Sequence, residues 1–263
     1  MHFTMLNNKK SRLSKIGFTL LAAVFWLAIW EVIYLIVGSS VIVASPVETF
    51  LRILELAVTS NFWLCILNSI GHILLGFFLA ILVSVPLAAI TARFELLYRL
   101  FSPLLKLIRA TPVASFIVLA LFWLNRDIVP SFIAFLMVVP LVFTNLSEGF
   151  RNINKEYLEM AEAYRFSFLK KIRLIYLPSL MPYFVSACSV GLGFAWKSGV
   201  AAEVISLPQN TLGLEIYNAK VYIETVDLFA LTAVIIILSI FIEKAFMFIL
   251  KRISDKVLKG GAK

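Results

Sequence analysis

The chain has 263 residues, of which 61% are hydrophobic and 15% are charged, and its mean hydropathy is +0.96. A soluble domain is about 45–50% apolar and about 25% charged. One soluble core of this size cannot bury so much apolar surface, so a lipid bilayer must solvate part of it. The formal net charge of +9 also fits a nucleic-acid-binding protein, unless the positions of the basic residues have another explanation.

Six segments are apolar enough to cross a membrane, since a spanning helix needs about 20 apolar residues. The first, residues 17–37, follows a basic segment as in a signal peptide, but it is longer than the apolar run of about 7–15 residues that signal peptides have. We therefore expect it to remain as an anchor. A gap of only three residues, 125–127, predicts a tight helical hairpin between the third and fourth spans. The six predicted spans are residues 17–37, 64–90, 102–124, 128–146, 181–204 and 228–250.

Basic residues are distributed unevenly between the predicted connections. Nineteen lie in the N-terminal tail (1–16), the second connection with the start of the span after it, the fourth connection, and the C-terminal tail (251–263). The opposite connections hold only Arg52, Arg126 and Lys220. Basic residues favour the cytoplasmic side, which predicts that both termini are cytoplasmic. Topology then explains the net charge, and nucleic-acid binding becomes unnecessary. The predicted fold is an all-α polytopic membrane protein, with one membrane domain over residues 1–263 and its core spans at 64–250.

The fourth connection, residues 147–182, has helical periodicity although it is rich in charge. Asn154 can cap a first helix, and an apolar face follows it at helical spacing. Ser167 can cap a second short helix, and Pro178 and Pro182 are expected to end that helix before the fifth span. Such amphipathic helices can lie on lipid or on the chain itself, or can dock into a soluble partner. The predicted apolar face of the first helix consists of Tyr157, Met160, Ala161 and Tyr164.

The 147–182 loop resembles the EAA loop of ATP-binding-cassette importer permeases. The family pattern is Glu-Ala-Ala, three residues, Gly, and nine residues to Ile-x-Leu-Pro. Glu159, Ala161 and the segment 175–178 match it with the full spacing, while Met160 replaces the first Ala and Arg165 replaces the Gly. The resemblance implies an ATPase-coupling role for eight residues: Glu159, Met160, Ala161, Ala163, Arg165, Ile175, Leu177 and Pro178.

Arg165 is the departure with a physical consequence. Glycine permits the left-handed turn that ends a helix. With Arg165 in its place, we expect either a strained turn or a first helix that continues toward Ser167.

Three further segments are similar to the nitrate/sulfonate/taurine-type branch of this family: Arg109-Ala-Thr-Pro112, residues 195–203 and Leu212-Gly-Leu214. The resemblance implies a permease subunit in the bacterial inner membrane, a second and identical permease copy, two ATPase subunits and an external solute-binding protein. The sequence contains no G-x-x-x-x-G-K-[ST] phosphate loop. We therefore expect no catalytic residue and no cofactor on this chain, with ATP and Mg²⁺ bound by the ATPase.

The fifth predicted span has two faces. Small residues recur every four positions at 187, 191, 195 and 199, a pattern that fits packing within the subunit or a subunit interface. Lys197 lies on the other side, where it could attract an anionic solute, pair with Glu203 or Glu31, or reach the membrane surface. Isolated cysteines and histidines at 2, 65, 72 and 188 predict no metal site. The candidate translocation-path residues are Ser186, Ser189, Gly193, Lys197 and Glu203.

The solute is expected to be a small anion such as a sulfonate, taurine or nitrate, and a thiamine-related pyrimidine remains the alternative. A second alternative is a transmembrane component of an energy-coupling vitamin transporter. That class is expected to show paired Ala-Arg-Gly-like signatures, which this sequence lacks. An intramembrane enzyme would need convergent catalytic groups, and the sequence has only scattered ones.

Overall fold

A computed structural model describes the backbone of residues 3–260 and the side chains of residues 17, 18 and 21–258. Within these residues every regular element is helical, which confirms the predicted all-α class. The side chains of the basic N-terminal tail and residues 261–263 of the C-terminal tail lie outside this description. The helices are α1 (Phe3–Val37), α2 (Pro46–Val58), α3 (Ser60–Arg93), α4 (Glu95–Ala110), α5 (Val113–Ala120), α6 (Val129–Arg151), α7 (Lys155–Ala163), α8 (Phe168–Lys171), α9 (Leu177–Ser206), α10 (Leu212–Val221) and α11 (Thr225–Gly260).

Four described helical stretches are long and apolar enough to cross a bilayer: Ser60–Arg93, Val129–Arg151, Phe168–Ser206 and Thr225–Leu258. The bent pair α4–α5 would make a fifth span, and Leu21–Val37 is a shorter apolar helix. All six predicted spans therefore fall on helices, but two of them differ from the prediction in shape.

The third predicted span, residues 102–124, is not one straight helix. It contains the end of α4 and all of α5, whose axes meet at 101°. The break lies at Thr111 and Pro112. Proline lacks an N–H and forces the residue before it out of the helical region, and Thr111 is accordingly extended, with φ −80° and ψ 135°.

The second helix of the 147–182 loop does not end before the fifth span, as the prolines had predicted. It continues through a π-helical turn, Ile172–Tyr176, directly into α9. Pro178 falls in the first turn of α9, directly after this π-helical turn. Pro182 lies inside α9, and membrane helices tolerate such prolines because neighbouring groups bond the freed carbonyls.

The described chain divides into two compact units. The larger is Ser60–Tyr217 together with residues from Ile235 onward, and its centre is formed by α3, α6 and α9. Two glycines let these helices approach closely. A Cβ atom on Gly76 would overlap the backbone carbonyl of Ser131, and one on Gly199 would overlap the side chain of Ile73. The prediction of a single membrane domain stays a prediction.

The smaller unit contains the residues up to Thr59 together with Asn218–Val234. The ring of Trp30 on α1 stacks on Phe229 with centroids 5.6 Å apart, and its Nε1 donates to the carbonyl of Ala44 at 2.9 Å. Arg52 on α2 donates to the carboxylate of Asp227, with Nη2 2.9 Å from Oδ2. This hydrogen bond raises the pKa of Arg52 above its ordinary value, and it connects α2 to the start of α11.

Candidate functional site

The first helix of the 147–182 loop begins where the sequence predicts. The side chain of Asn154 accepts a hydrogen bond from the backbone N–H of Glu156 at 2.9 Å. This caps α7 and satisfies one of the N–H groups that a helix leaves unpaired at its start. Ser167 also occupies the cap position of α8, but its side chain makes no capping hydrogen bond.

Arg165 ends the first helix in the way that the family's glycine would. Its φ is +47°, in the left-handed region. The N–H of Phe166 donates to Ala161 at 2.8 Å and the N–H of Arg165 donates to Glu162 at 2.9 Å. These two bonds form a Schellman motif. Of the two expected outcomes, the strained turn is therefore the correct one, and the helix does not run on to Ser167.

The EAA-like loop is anchored to the chain through its small and aliphatic positions. Ala161 and Ile175 are buried together with Ile153 in a local apolar cluster, and Phe150, Leu158 and Phe166 pack around it. The predicted apolar face of α7 thus divides, because only Ala161 points inward. The residues left exposed around it form what we call the outer surface of the loop: Tyr157, Met160, Tyr164, Phe168 and Leu169.

Charged residues surround this outer surface. Glu159 is exposed, and among the described side chains we find no hydrogen bond or ion pair to it. Lys171 lies 3.9 Å from Glu162, and the ammonium of Lys170 lies 4.0 Å from the centre of the Phe166 ring. The loop therefore exposes large apolar side chains and charged side chains on the same two helices, and the carboxylate of Glu159 is available to a partner.

The two predicted faces of α9 are separated as the spacing indicates. Ala187, Gly191, Ala195 and Gly199 are all buried within the chain. Gly191 would carry a Cβ 3.4 Å from Val138, so this stripe packs against helices of the same subunit. On the other side, Ser186 and Lys197 are exposed, and Ser189 and Gly193 are partly buried.

Glu203 does not join the other path candidates but lies fully buried on the inner side of α9. Its Oε2 accepts hydrogen bonds from Ser69 Oγ at 2.8 Å and from the N–H of Gly213 at 3.2 Å. Ser69 Oγ in turn accepts the N–H of Leu212 at 2.9 Å. Glu203 and Ser69 therefore hold the first turn of α10, where a helix leaves its N–H groups unpaired and favours negative charge.

His72 lies at the edge of this cluster. Its Nδ1 is 3.8 Å from Glu203 Oε1, beyond hydrogen-bonding distance, and neither atom has a hydrogen-bond partner in the described structure. Sequence reasoning missed Ser69. The one available signal was the spacing of Cys65, Ser69 and His72, which places three polar groups on one face of α3.

Gly213 completes the cluster by its lack of a side chain. A Cβ at this position would overlap the Cβ of Glu203. Glycine at position 213 therefore lets α10 approach α9 more closely than any other residue at this position would allow. Among the described side chains Lys197 takes part in no ion pair, so pairing with Glu203 does not explain it.

The long apolar helices and the charged helical loop between two of them are typical of an integral membrane protein. The candidate functional residues lie on helix surfaces. Residues 80–259 match the family "binding-protein-dependent transport system inner membrane component". Since this covers most of the 263 residues, the chain belongs to that family and is the permease component of an ABC importer. It is a transport protein and not an enzyme.

Individual relatives agree with the family. The chain is 24% identical to a Brucella melitensis biotype 1 protein described as a probable ABC transporter permease, over 89% of this chain and 94% of the relative. It is 22% identical to the taurine transport system permease of Escherichia coli (strain K12), over 81% and 80% of the two chains. It is 25% identical to a bicarbonate transport system permease of Synechocystis, over 58% and 55%.

Proposed function

We propose that this permease docks a separate ATPase through the outer surface of its EAA-like loop and carries a small oxyanion. The observation that supports docking most directly is the division of the loop into two sides. Ala161 and Ile175 hold the loop on the permease, while five large apolar side chains and Glu159 face outward. Exposed apolar clusters with a charged edge are typical of protein–protein interfaces.

Because α8 is continuous with α9, the outer surface of the loop is connected mechanically to the membrane-spanning part of α9. Leu169 and Lys197 lie 28 residues apart on a single helical stretch, a separation of about 40 Å at about 1.5 Å per residue. Helices resist bending, so a displacement of the outer surface by a closing ATPase would move the membrane part of α9. The π-helical turn between them is the point at which this helix can adjust its register.

Charge reversal at Glu159 tests the docking proposal. We expect Glu159→Arg to abolish copurification with the ATPase, or to abolish ATP-driven uptake while the ATPase still binds. The reason is that the new arginine would face a basic residue of the partner. Glu95→Arg is the matched control, since Glu95 is also exposed and, among the described side chains, is paired only with Arg99 on the surface of α4. Copurification and uptake that are unchanged in Glu159→Arg would refute docking through this surface.

The exposed face of α9 is our candidate for the translocation path. Ser186, Val190, Phe194, Lys197 and Ala201 are all exposed and lie on one helix face by their spacing. A lysine inside a membrane span faces protein or water, since lipid solvates it poorly. We propose that a second copy of this chain covers this face and that the path lies between the two copies. Glu203, which is buried elsewhere, then positions α10 and does not contact solute.

The charge of Lys197 supports an anionic solute, and the taurine and bicarbonate relatives carry solutes with an oxyanion group. The description of the family names binding-protein-dependent transport, which favours supply by an external binding protein over the energy-coupling alternative. We expect Lys197→Gln to lower uptake of such a solute at least tenfold and Lys197→Arg to retain most of it. Uptake of a neutral or cationic solute only, including a thiamine-related pyrimidine, would contradict the anion assignment.

A further inference from the structure

The helix α2 presents a continuous apolar stripe that no described part of the chain covers. The stripe consists of side chains that are between 51% and 88% exposed: Val47, Phe50, Leu51, Leu54 and Val58. Their spacing of three, one, three and four residues places them on one face of a helix. The family match begins at residue 80, so the family's description says nothing of this helix.

The opposite face of α2 is already occupied by the chain. Thr49 is buried, and Arg52 is bonded to Asp227. The start of α2 is closed by a capping box, in which Ser45 and Glu48 each satisfy the backbone N–H of the other. Both the orientation of α2 and its first turn are therefore fixed, and the apolar stripe is held outward.

Two connections hold α2 beside apolar helices of its own unit. Before its start, Ala44 accepts a hydrogen bond from Trp30, which lies seven residues, or about 10 Å, before the end of the apolar helix α1. In its middle, Arg52 is bonded to Asp227 in the first turn of α11. A helix tied in this way cannot extend away from the bilayer.

We infer that α2 lies in the bilayer–water interface with its apolar stripe in the lipid acyl chains. Such amphipathic helices bury one face at the boundary of headgroups and acyl chains. The polar face has two acidic residues, Glu48 and Glu55, and one basic residue, Arg52, which is paired with Asp227. Membrane contact should therefore not depend on anionic lipid.

Spin labels on the two faces of α2 test this placement in the full-length chain in phosphatidylcholine nanodiscs. Leu54→Cys places the label on the stripe, and Glu55→Cys is the matched control on the adjacent, exposed polar side. The native Cys65 and Cys188 are fully buried, so the unsubstituted chain gives the background labelling. We expect the label at residue 54 to collide more with oxygen than with a water-soluble nickel chelate, and the label at residue 55 to show the reverse.

Two further measurements separate lipid from other occupants of the stripe. A label at Phe50→Cys should reproduce the result at Leu54, which guards against a local effect of one substitution. Adding phosphatidylglycerol should leave the accessibilities unchanged. Greater access of the nickel chelate at residue 54 would show that the stripe faces water and would overturn the inference. A label at residue 54 that is inaccessible to both reagents would also overturn the inference, because it would indicate a protein that covers the stripe. Dipolar broadening between labels would identify that protein as a second copy of the chain.

Discussion

Ser69 is a small residue on which we expect the position of α10 to depend. Its hydroxyl donates to Glu203 and accepts from the N–H of Leu212, so one oxygen atom joins α3, α9 and the start of α10. Ser69→Ala removes both bonds and leaves a buried backbone N–H without an acceptor. The substitution adds no bulk and creates little empty volume, so the lost hydrogen bonds should dominate its effect.

The magnitude follows from the two bonds. Leaving one buried donor or acceptor unsatisfied costs about 1–3 kcal/mol, and the loss here affects the N–H of Leu212 and the carboxyl group of Glu203. A total near 3 kcal/mol corresponds to about a hundredfold increase in the equilibrium constant for local opening of the start of α10, since about 1.4 kcal/mol is a factor of ten. The opening should be local, because both bonds lie in one cluster and the apolar contacts among α3, α6 and α9 are unchanged.

Hydrogen–deuterium exchange of the amides of Leu212 and Gly213 measures this opening directly. We expect exchange in Ser69→Ala to be about a hundredfold faster at these two amides, with the amides of α6 unchanged. Ser206→Ala is the matched control, because Ser206 is also a buried serine near the end of α9 but donates only to Ala202 in its own helix. Unchanged exchange in Ser69→Ala, or equal acceleration in Ser206→Ala, would refute the proposed role of Ser69.

Two further predictions concern the backbone. Arg165→Gly should stabilise the end of α7 by about 1 kcal/mol, because a non-glycine residue in the left-handed region costs about 1–2 kcal/mol and the greater entropy of glycine in the unfolded chain offsets part of the gain. Hydrogen–deuterium exchange at the amide of Phe166 should therefore slow in Arg165→Gly but not in Arg165→Ala. Faster exchange in Arg165→Gly would contradict a strained backbone at Arg165. Gly76→Ala should destabilise the α3–α6 contact by about 1–3 kcal/mol because its Cβ would overlap the carbonyl of Ser131. Gly71→Ala on the same helix, with open space at its Cβ, should be neutral or slightly stabilising. A thiol-reactive dye can follow both unfolding curves through the buried Cys65 and Cys188, and equal midpoints would contradict the packing argument.

Much of the architecture could be predicted from local patterns. Apolar runs of sufficient length marked the membrane helices, and Asn154 marked the start of α7, because both signals depend only on neighbouring residues. The prolines were harder to interpret. Thr111-Pro112 breaks a span into two helices, while Pro178 and Pro182 are absorbed into one. The difference lies in the π-helical turn before Pro178, which no local propensity indicated.

The buried cluster around Glu203 could not be predicted because its members are distant in sequence. Ser69 and Glu203 are 134 residues apart and meet only through the packing of α3 on α9. Glu203 was therefore grouped with Lys197, six positions before it, although the two side chains lie in different surroundings. The stripe on α2 is the opposite case. Its periodicity is visible in the sequence, but only the structure shows that Arg52 and Thr49 occupy the other face.

We propose that a separate ATPase drives this permease through the EAA-like loop. The most direct test of this proposal is accumulation of a labelled oxyanion solute in proteoliposomes that contain the permease, its ATPase and its external solute-binding protein. We predict uptake against a gradient that requires all three components and ATP, and that is lost with Glu159→Arg but kept with Glu95→Arg. Equal accumulation without the ATPase, or full uptake by Glu159→Arg, would contradict coupling to an ATPase through this loop.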